Sequence, residues 1–555
     1  MTHSPVVIAG AGPVGLTTSL LLSAAGIANV VLEKRHGTSL LPRSRGIMCR
    51  TSEIWSQLGL LPALRERSLP PEWTRYLLYV HGLSGAEIGR MEATSQIAEV
   101  TAEYSPAPFL CSTQDRMDDV LNAAVQRQAN ARVLFGHEVL GVEDTGDGVR
   151  VRVEVTGGEA YSIDADWFVA ADGANSPTRQ ALGIEMSGVR TQRWFLNAHF
   201  RADLSRWLEP DRKAALIWVL DTAIEGVFQP LDGRTEWGCG SNFDAQADPP
   251  ESFTPERVRD MIRTIIGPDG RDTEIDLIGF WPWFVSATVA RRFRRGRVLL
   301  VGDAAHQIPP FGGIGMNTGV QDAHNLVWKL ASVIRGWAGE ALLDSYELER
   351  REVAERACNY GMTNAQHVSA IRERPAAERV AALRQYGNWA GLDVGVHYTA
   401  GAFSPDGSPP PPHEVAVHEY HPSARPGARA PHLWLRTTNG PTSTIDLCQG
   451  GFTVLAGSGG AAWTEAARKL AEIGPAPVRG YTYGADLRAD LRADLDPDTG
   501  QPDDRFERLY GIDAGGAVLV RPDGHVAFRS RGAVSDPTAV LADALAVALG
   551  RKEVA

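Results

Sequence analysis

Near the N-terminus, Gly10-Ala11-Gly12-Pro13-Val14-Gly15 has the residue types and spacing to hold a pyrophosphate. Side chains this small let backbone N–H groups approach phosphate oxygens at a helix N-terminus, where the helix dipole favours negative charge. Glu33 ends the next apolar run, where its carboxylate can accept from a ribose hydroxyl. The same carboxylate would repel a 2′-phosphate, so the pattern favours FAD or NAD over NADP. Lys34 is assigned to the same rim. Two more acids end strand-like runs: Asp172-Gly173 after 167–171, and Gly302-Asp303 after 298–301. Pro310-Phe311-Gly312-Gly313-Ile314-Gly315-Met316-Asn317 then leads into a helix. Its glycines leave backbone N–H groups free to face an anion.

These groups need strands and helices to place them. Val6 to Ala9 predicts a buried parallel strand. A helix follows through Leu16, Leu20 and Leu21 until Gly26, and Ala28 to Leu32 predicts the next strand. Ser176-Pro177 is a good N-cap and first-turn pair for a helix reaching Arg179. Val320, Ala323, Val327, Leu330 and Ile334 make one apolar stripe on a long helix. Between 185 and 284, the alternating runs 214–220, 226–231 and 236–242 predict an antiparallel substrate sheet. Phe228, Trp237 and Trp283 are the candidate aromatic lining for a planar substrate. The prolines of 405–412 predict an extended linker within 401–424. Strands and helices alternate again over 425–555, and the duplicated Ala-Asp-Leu-Arg of 485–495 is read as a surface insertion.

Together, the GxGxxG, the Asp172-Gly173 turn and the Gly302-Asp303 segment resemble the class A flavoprotein monooxygenases, the p-hydroxybenzoate and phenol hydroxylase family. The resemblance implies an α/β fold. It comprises a discontinuous Rossmann-like FAD-binding domain over 1–184 and 285–400, a substrate domain over 185–284, and a thioredoxin-like C-terminal domain over 425–555. It further implies non-covalent FAD reduced by NADPH or NADH, reaction with O2 to a C4a-hydroperoxide, and oxygen transfer to an electron-rich ring. Asp303 would bind a ribityl hydroxyl, and Asp172 would serve both FAD and the nicotinamide nucleotide. Gly10, Gly12, Pro13, Gly15, Glu33, Lys34, Arg43, Gln114, Gly313, Gly315, Met316 and Asn317 complete the expected cofactor set. Pro310, Gly312 and Arg45 are expected at the reacting end. Simple-phenol hydroxylases often carry an Asp where Arg45 stands, so substrate deprotonation at that position is not expected. This departure tilts the expectation toward a polycyclic phenol such as an aromatic polyketide. Baeyer–Villiger or epoxidising chemistry, a catabolic phenol hydroxylase and a flavin-dependent quinone reductase are the rivals. Trp281-Pro282-Trp283 resembles a halogenase motif, but no lysine lies between Lys34 and Lys213 to carry activated chlorine.

Other classes fall away on composition. Lys and Arg number 55 against 67 acidic residues, a net charge of −12, so nucleic acid is not an expected partner. No apolar run is long enough to cross a bilayer. Structure-like sequence begins by Val6, which leaves no room for a signal peptide and sets a cytoplasmic expectation. Cys49, Cys111, Cys239, Cys358 and Cys448 form no CxxC, which argues against disulfides and a zinc site. No metal is expected, and there is no GxSxG nucleophile elbow. His199 and His306 are read as structural. The C-terminal domain is expected to form an interface or scaffold, compatible with a homodimer. Every flavin motif precedes residue 345, so a chain ended at Pro405 is expected to keep FAD binding.

Overall fold

A computed structural model describes residues 3–92, 103–208, 211–220, 222–370, 378, 389–412, 417–437, 440–484, 488–489 and 504–552. Of the duplicated 485–495 segment, only the short strand Arg488–Ala489 lies inside the described residues.

Val6, Val7 and Ile8 are fully buried in the strand His3–Ala9. This strand pairs in parallel with Asn29–Glu33 on one side and Ala160–Ala170 on the other. Ala160–Ala170 pairs in turn with Val298–Leu300. The registers set Ala9 beside Leu32 and Ala170, and Ala170 beside Leu300. Gly10, Glu33, Asp172 and Asp303 therefore emerge along one carboxyl edge, where parallel sheets bind their ligands. Helices Pro13–Ala24 and Gly315–Ile334 both begin at this edge. Ser176 accepts from the Arg179 N–H at 3.0 Å, capping Pro177–Ala181 as expected.

The second layer is an eight-stranded sheet. Its order is His306–Gln307, Asp276–Ala290, Met186–Arg201, Glu236–Phe243, Gly226–Pro230, Leu216–Val219, Tyr76–Val80 and Glu87–Glu92. The expected limits of 185–284 are therefore too narrow. Residues 76–92 join this sheet from within the first segment, and its longest hairpin runs on to Ala290. Helix Pro255–Ile266 covers the outer face, burying Val258, Ile262, Ile265 and Ile266 against Leu196, Phe200, Phe228 and Trp237.

The C-terminal unit has a four-stranded sheet in the order Val478–Thr482, Phe452–Ala456, Ala517–Val520, Val526–Ser530. Helices Ala461–Ile473 and Pro537–Ala548 share a core with it. The segment expected as a linker is no free spacer. Ala402 and Phe403 are buried, the Ser404 N–H donates to the Ala527 carbonyl at 2.8 Å, and Asp406 pairs with Arg529 at 2.6 Å.

Buried ion pairs dock this unit. Glu349, in helix Asp344–Ala370, accepts from Arg521 at 2.7 Å and Lys329 at 2.8 Å, and Arg521 also holds Asp523 at 2.5 Å. Glu53 accepts from Arg50 at 2.7 Å and from Arg429 of the C-terminal half. Burial alone would raise both glutamates, but Arg429 and Arg50 hold Glu53 at about 2, and Arg521 and Lys329 hold Glu349 at about 2.

Candidate active site

A cleft of about 1220 Å³ opens at the carboxyl edge and continues over the inner face of the eight-stranded sheet. Gly10 has φ +100°, and a side chain there would fall on the Ala171 carbonyl. One at Gly15 would fall on the Gly10 carbonyl. Gly12 is different: a Cβ there meets nothing within 4 Å, because the position faces the cleft. Gly12 is also the N-cap of Pro13–Ala24 and supplies no side-chain cap, so the first N–H groups of the helix are left for a ligand.

Around this turn, Glu33, Lys34, Arg43, Gln114, Asp172 and Asp303 all line the cleft. The Glu33 carboxylate is already engaged. It accepts from the Ala11 N–H at 2.9 Å and from the Arg35 N–H and guanidinium at 2.8–3.1 Å. Those contacts hold its pKa below the usual range despite burial. Glu33 therefore fastens the glycine turn to the next strand, and a ribose would share it with Arg35. Asp172 Oδ2 accepts from the Thr178 N–H at 3.1 Å, while its Oδ1 is buried without a partner. Asp303 is exposed to the cleft, yet crowding by protein raises its carboxyl against the pull of His306 and Arg43. Gln114 lies 3.4 Å from Asp118, whose burial pushes its carboxyl up to about 7.

Pro310, Gly312, Gly313, Gly315 and Met316 line the middle of the cleft. Gly313 has φ +69° and open space before it, whereas a Cβ at Gly312 would strike the Tyr360 ring. Asn317 does not line the cleft. It is buried as a strut, accepting from the Met48 N–H at 2.9 Å and donating to the Gly46 carbonyl at 3.0 Å and the Gly313 carbonyl at 2.9 Å. Its side chain therefore positions the Gly313 loop against the Gly46–Met48 segment.

Over the sheet, Phe195 and Trp283 stack at 5.0 Å, and Phe311 meets Phe195 edge-on at 5.8 Å. Leu77, Leu216, Trp218 and Val227 extend this wall, with Asn197 and Gln229 among them. Arg45 reaches in and donates to the Pro230 and Ala215 carbonyls, each at 2.6 Å. No carboxylate pairs with it among the described residues, and burial lowers its pKa. Phe228 and Trp237, expected as substrate contacts, are fully buried in the core behind the sheet. Successive strand residues face opposite ways, so Val227 and Gln229 line the cleft while Phe228 turns from it. His306 is fully buried, 2.5 Å from Asp322, and His199 sits 2.8 Å from Glu236. Each histidine is held by a carboxylate, and neither lines the cleft.

Sequence reasoning missed much of the rim. Met48, Tyr104, Phe109, Cys111, Trp389, His418 and Tyr420 line the cleft, the last two from the supposed linker. Nothing local in the chain marks them; distant segments bring them together. Gly240 also lines the cleft, and glycine inside a strand was a readable sign of close approach.

The site fits FAD in three respects: open space at Gly12, an orphaned Asp172 oxygen, and side-chain-free backbone at Gly313. Known proteins agree. The family described as FAD binding domain matches residues 3–360, and that described as aromatic-ring hydroxylase, C-terminal, matches 423–552. Tetracenomycin A2 monooxygenase-dioxygenase of Streptomyces glaucescens is 33% identical, over 99% of this chain and 97% of its own. A 4-methyl-5-nitrocatechol 5-monooxygenase of a Burkholderia species is 34% identical, over 99% and 98%. The crystal structure of aklavinone-11 hydroxylase with FAD and aklavinone superimposes with a TM-score of 0.86 at 30% identity, over 99% of this chain and 100% of that one.

Proposed function

This chain belongs to the FAD-dependent aromatic-ring hydroxylases, a monooxygenase family, and from that premise we propose that it hydroxylates a fused-ring phenol using NADPH or NADH and O2. One observation carries the reading. The glycine loop that would face the flavin ring and the aromatic slot of the substrate sheet share one cleft, joined where Phe311 meets Phe195. Bound FAD would supply electrons taken from the nicotinamide nucleotide and activated oxygen for the ring.

The chain's own residues bind, orient and exclude water. Gly12 and the helix behind it take the diphosphate, Asp303 and Asp172 the polar chain, and the backbone at Gly312 to Met316 the electron-rich edge of the flavin. Phe195, Trp283, Trp218 and Phe311 hold the substrate ring and keep water from it. Arg45, fixed by two carbonyls, presents positive charge where a phenol oxygen would lie. It cannot serve as a base, since arginine stays protonated. The C-terminal unit is read as thioredoxin-like. It carries no CxxC, and its Cys448 is buried, which supports a docking role rather than a redox one.

The test is product mass. Incubation with NADPH or NADH and fused-ring phenols should give a product one oxygen heavier, carrying a new ring hydroxyl. A lactone or ester of the same mass would assign Baeyer–Villiger chemistry instead, and an epoxide would assign epoxidation.

A further inference from the structure

The strand Glu236–Phe243 lies inside the substrate sheet, between Met186–Arg201 and Gly226–Pro230. Interior strands favour β-branched and aromatic residues, and glycine there weakens the strand. This strand nonetheless carries Gly238 and Gly240, two apart and so on one face. Trp237 and Cys239 fill the core on the other face, while Gly240 lines the cleft. A Cβ at 240 would stand 3.0 Å from Asn197 Oδ1 and 3.4 Å from Val227 Cγ1. One at 238 would stand 3.5 Å from Gln229 Oε1. The missing side chain at Gly240 leaves cleft space that Asn197 borders from one neighbouring strand and Val227 from the other, with Gln229 two residues beyond Val227 on the same face.

Both amides line the cleft, and neither side chain hydrogen-bonds to another described residue. An amide offers donors and an acceptor, so it can take a hydroxyl or a carbonyl. Asn197 pairs with Gly240 and Gln229 with Gly238, so the two lie two strand spacings apart and two residues offset along the strands, about 12 Å between backbones. One benzene ring cannot touch both; a fused system can.

Resting on the hydroxylase reading, we infer that Gly240 forms a shelf for a fused-ring aromatic bearing several oxygens, with Asn197 and Gln229 each taking an oxygen at opposite edges. Gly240 then sets substrate size, and the two amides select oxygenated rings over plain hydrocarbons.

The test is equilibrium titration of the oxidised holoenzyme with a trihydroxyanthraquinone and with catechol, followed by flavin absorbance. The wild type should bind the three-ring probe more tightly. Gly240→Val should weaken that probe about tenfold or more, and Gly240→Ala less, because the added side chain overpacks the shelf. Flavin content and catechol binding should not change. Asn197→Leu and Gln229→Leu should each weaken the three-ring probe alone. Equal wild-type affinity for both probes, or an unchanged three-ring affinity in Gly240→Val, overturns the shelf. Should Gly240→Val lose its flavin, Gln229→Leu decides, and unchanged three-ring binding there overturns the proposal. Binding is read without turnover, so selectivity without oxygen transfer would retain the shelf and reject the hydroxylase reading.

Discussion

At the scale of single residues, Gly12 and Asp303 separate two ways of holding one cofactor. A Cβ at Gly12 meets nothing within 4 Å beyond its chain neighbours, and φ there is −82°, so Gly12→Val should fold normally. It should still lose FAD, because the valine occupies the space where the diphosphate meets the helix. Normal flavin content in the folded variant would reject this placement. Asp303 offers one contact among several, and a hydrogen bond to a charged group is worth about 1.5–3 kcal/mol. Asp303→Ala should therefore weaken FAD about tenfold to hundredfold, read by flavin fluorescence. Wild-type affinity would make Asp303 structural. The glycines and acids that line the cleft were legible because those residue types at fixed spacing carry a mechanism of their own. The substrate residues were less so. Aromatic composition pointed to Phe228 and Trp237, but which strand face meets the cleft depends on register, and both turned to the core.

At the scale of elements, the parallel registers do most of the positioning, and their apolar runs were readable from sequence. The ties between elements were not. Asn317 joins the start of its helix to the Gly46–Met48 segment and to the Gly313 loop by three hydrogen bonds. An asparagine two residues after a glycine looks equally like a cofactor ligand. Asn317→Ala should leave buried backbone groups unpaired and cost about 1–3 kcal/mol, seen as a lower unfolding midpoint in denaturant. FAD should also bind more weakly because the loop loosens. Full stability with weakened FAD would restore a direct contact.

Across the whole molecule, the ion pairs change the expectation for a shortened chain. Ending it at Pro405 would remove Arg429, Arg521 and Asp523 and leave Glu349 and Glu53 short of partners in the interior. Breaking a buried pair costs about 3–5 kcal/mol, so the shortened chain is now expected to unfold or lose its flavin. Soluble, flavin-bound protein after truncation would contradict this. The pairs were invisible in sequence because Glu53 and Arg429 meet only through the fold. They also set a pH response. Glu53 and Glu349 titrate at about 2 in the folded protein against an ordinary 4.5. Their stabilisation is therefore complete above about pH 4.5 and is lost as pH falls toward 2. Denaturant midpoints should drop steeply as pH falls below that range; a flat acid limb would exclude these pairs as a source of stability. Oxygen transfer to a ring in this cleft is read with isotopically labelled O2, NADPH and a fused-ring phenol. One labelled oxygen should enter the product for each nicotinamide oxidised, and NADPH consumed at the same rate with no label in any product would rule out oxygen transfer.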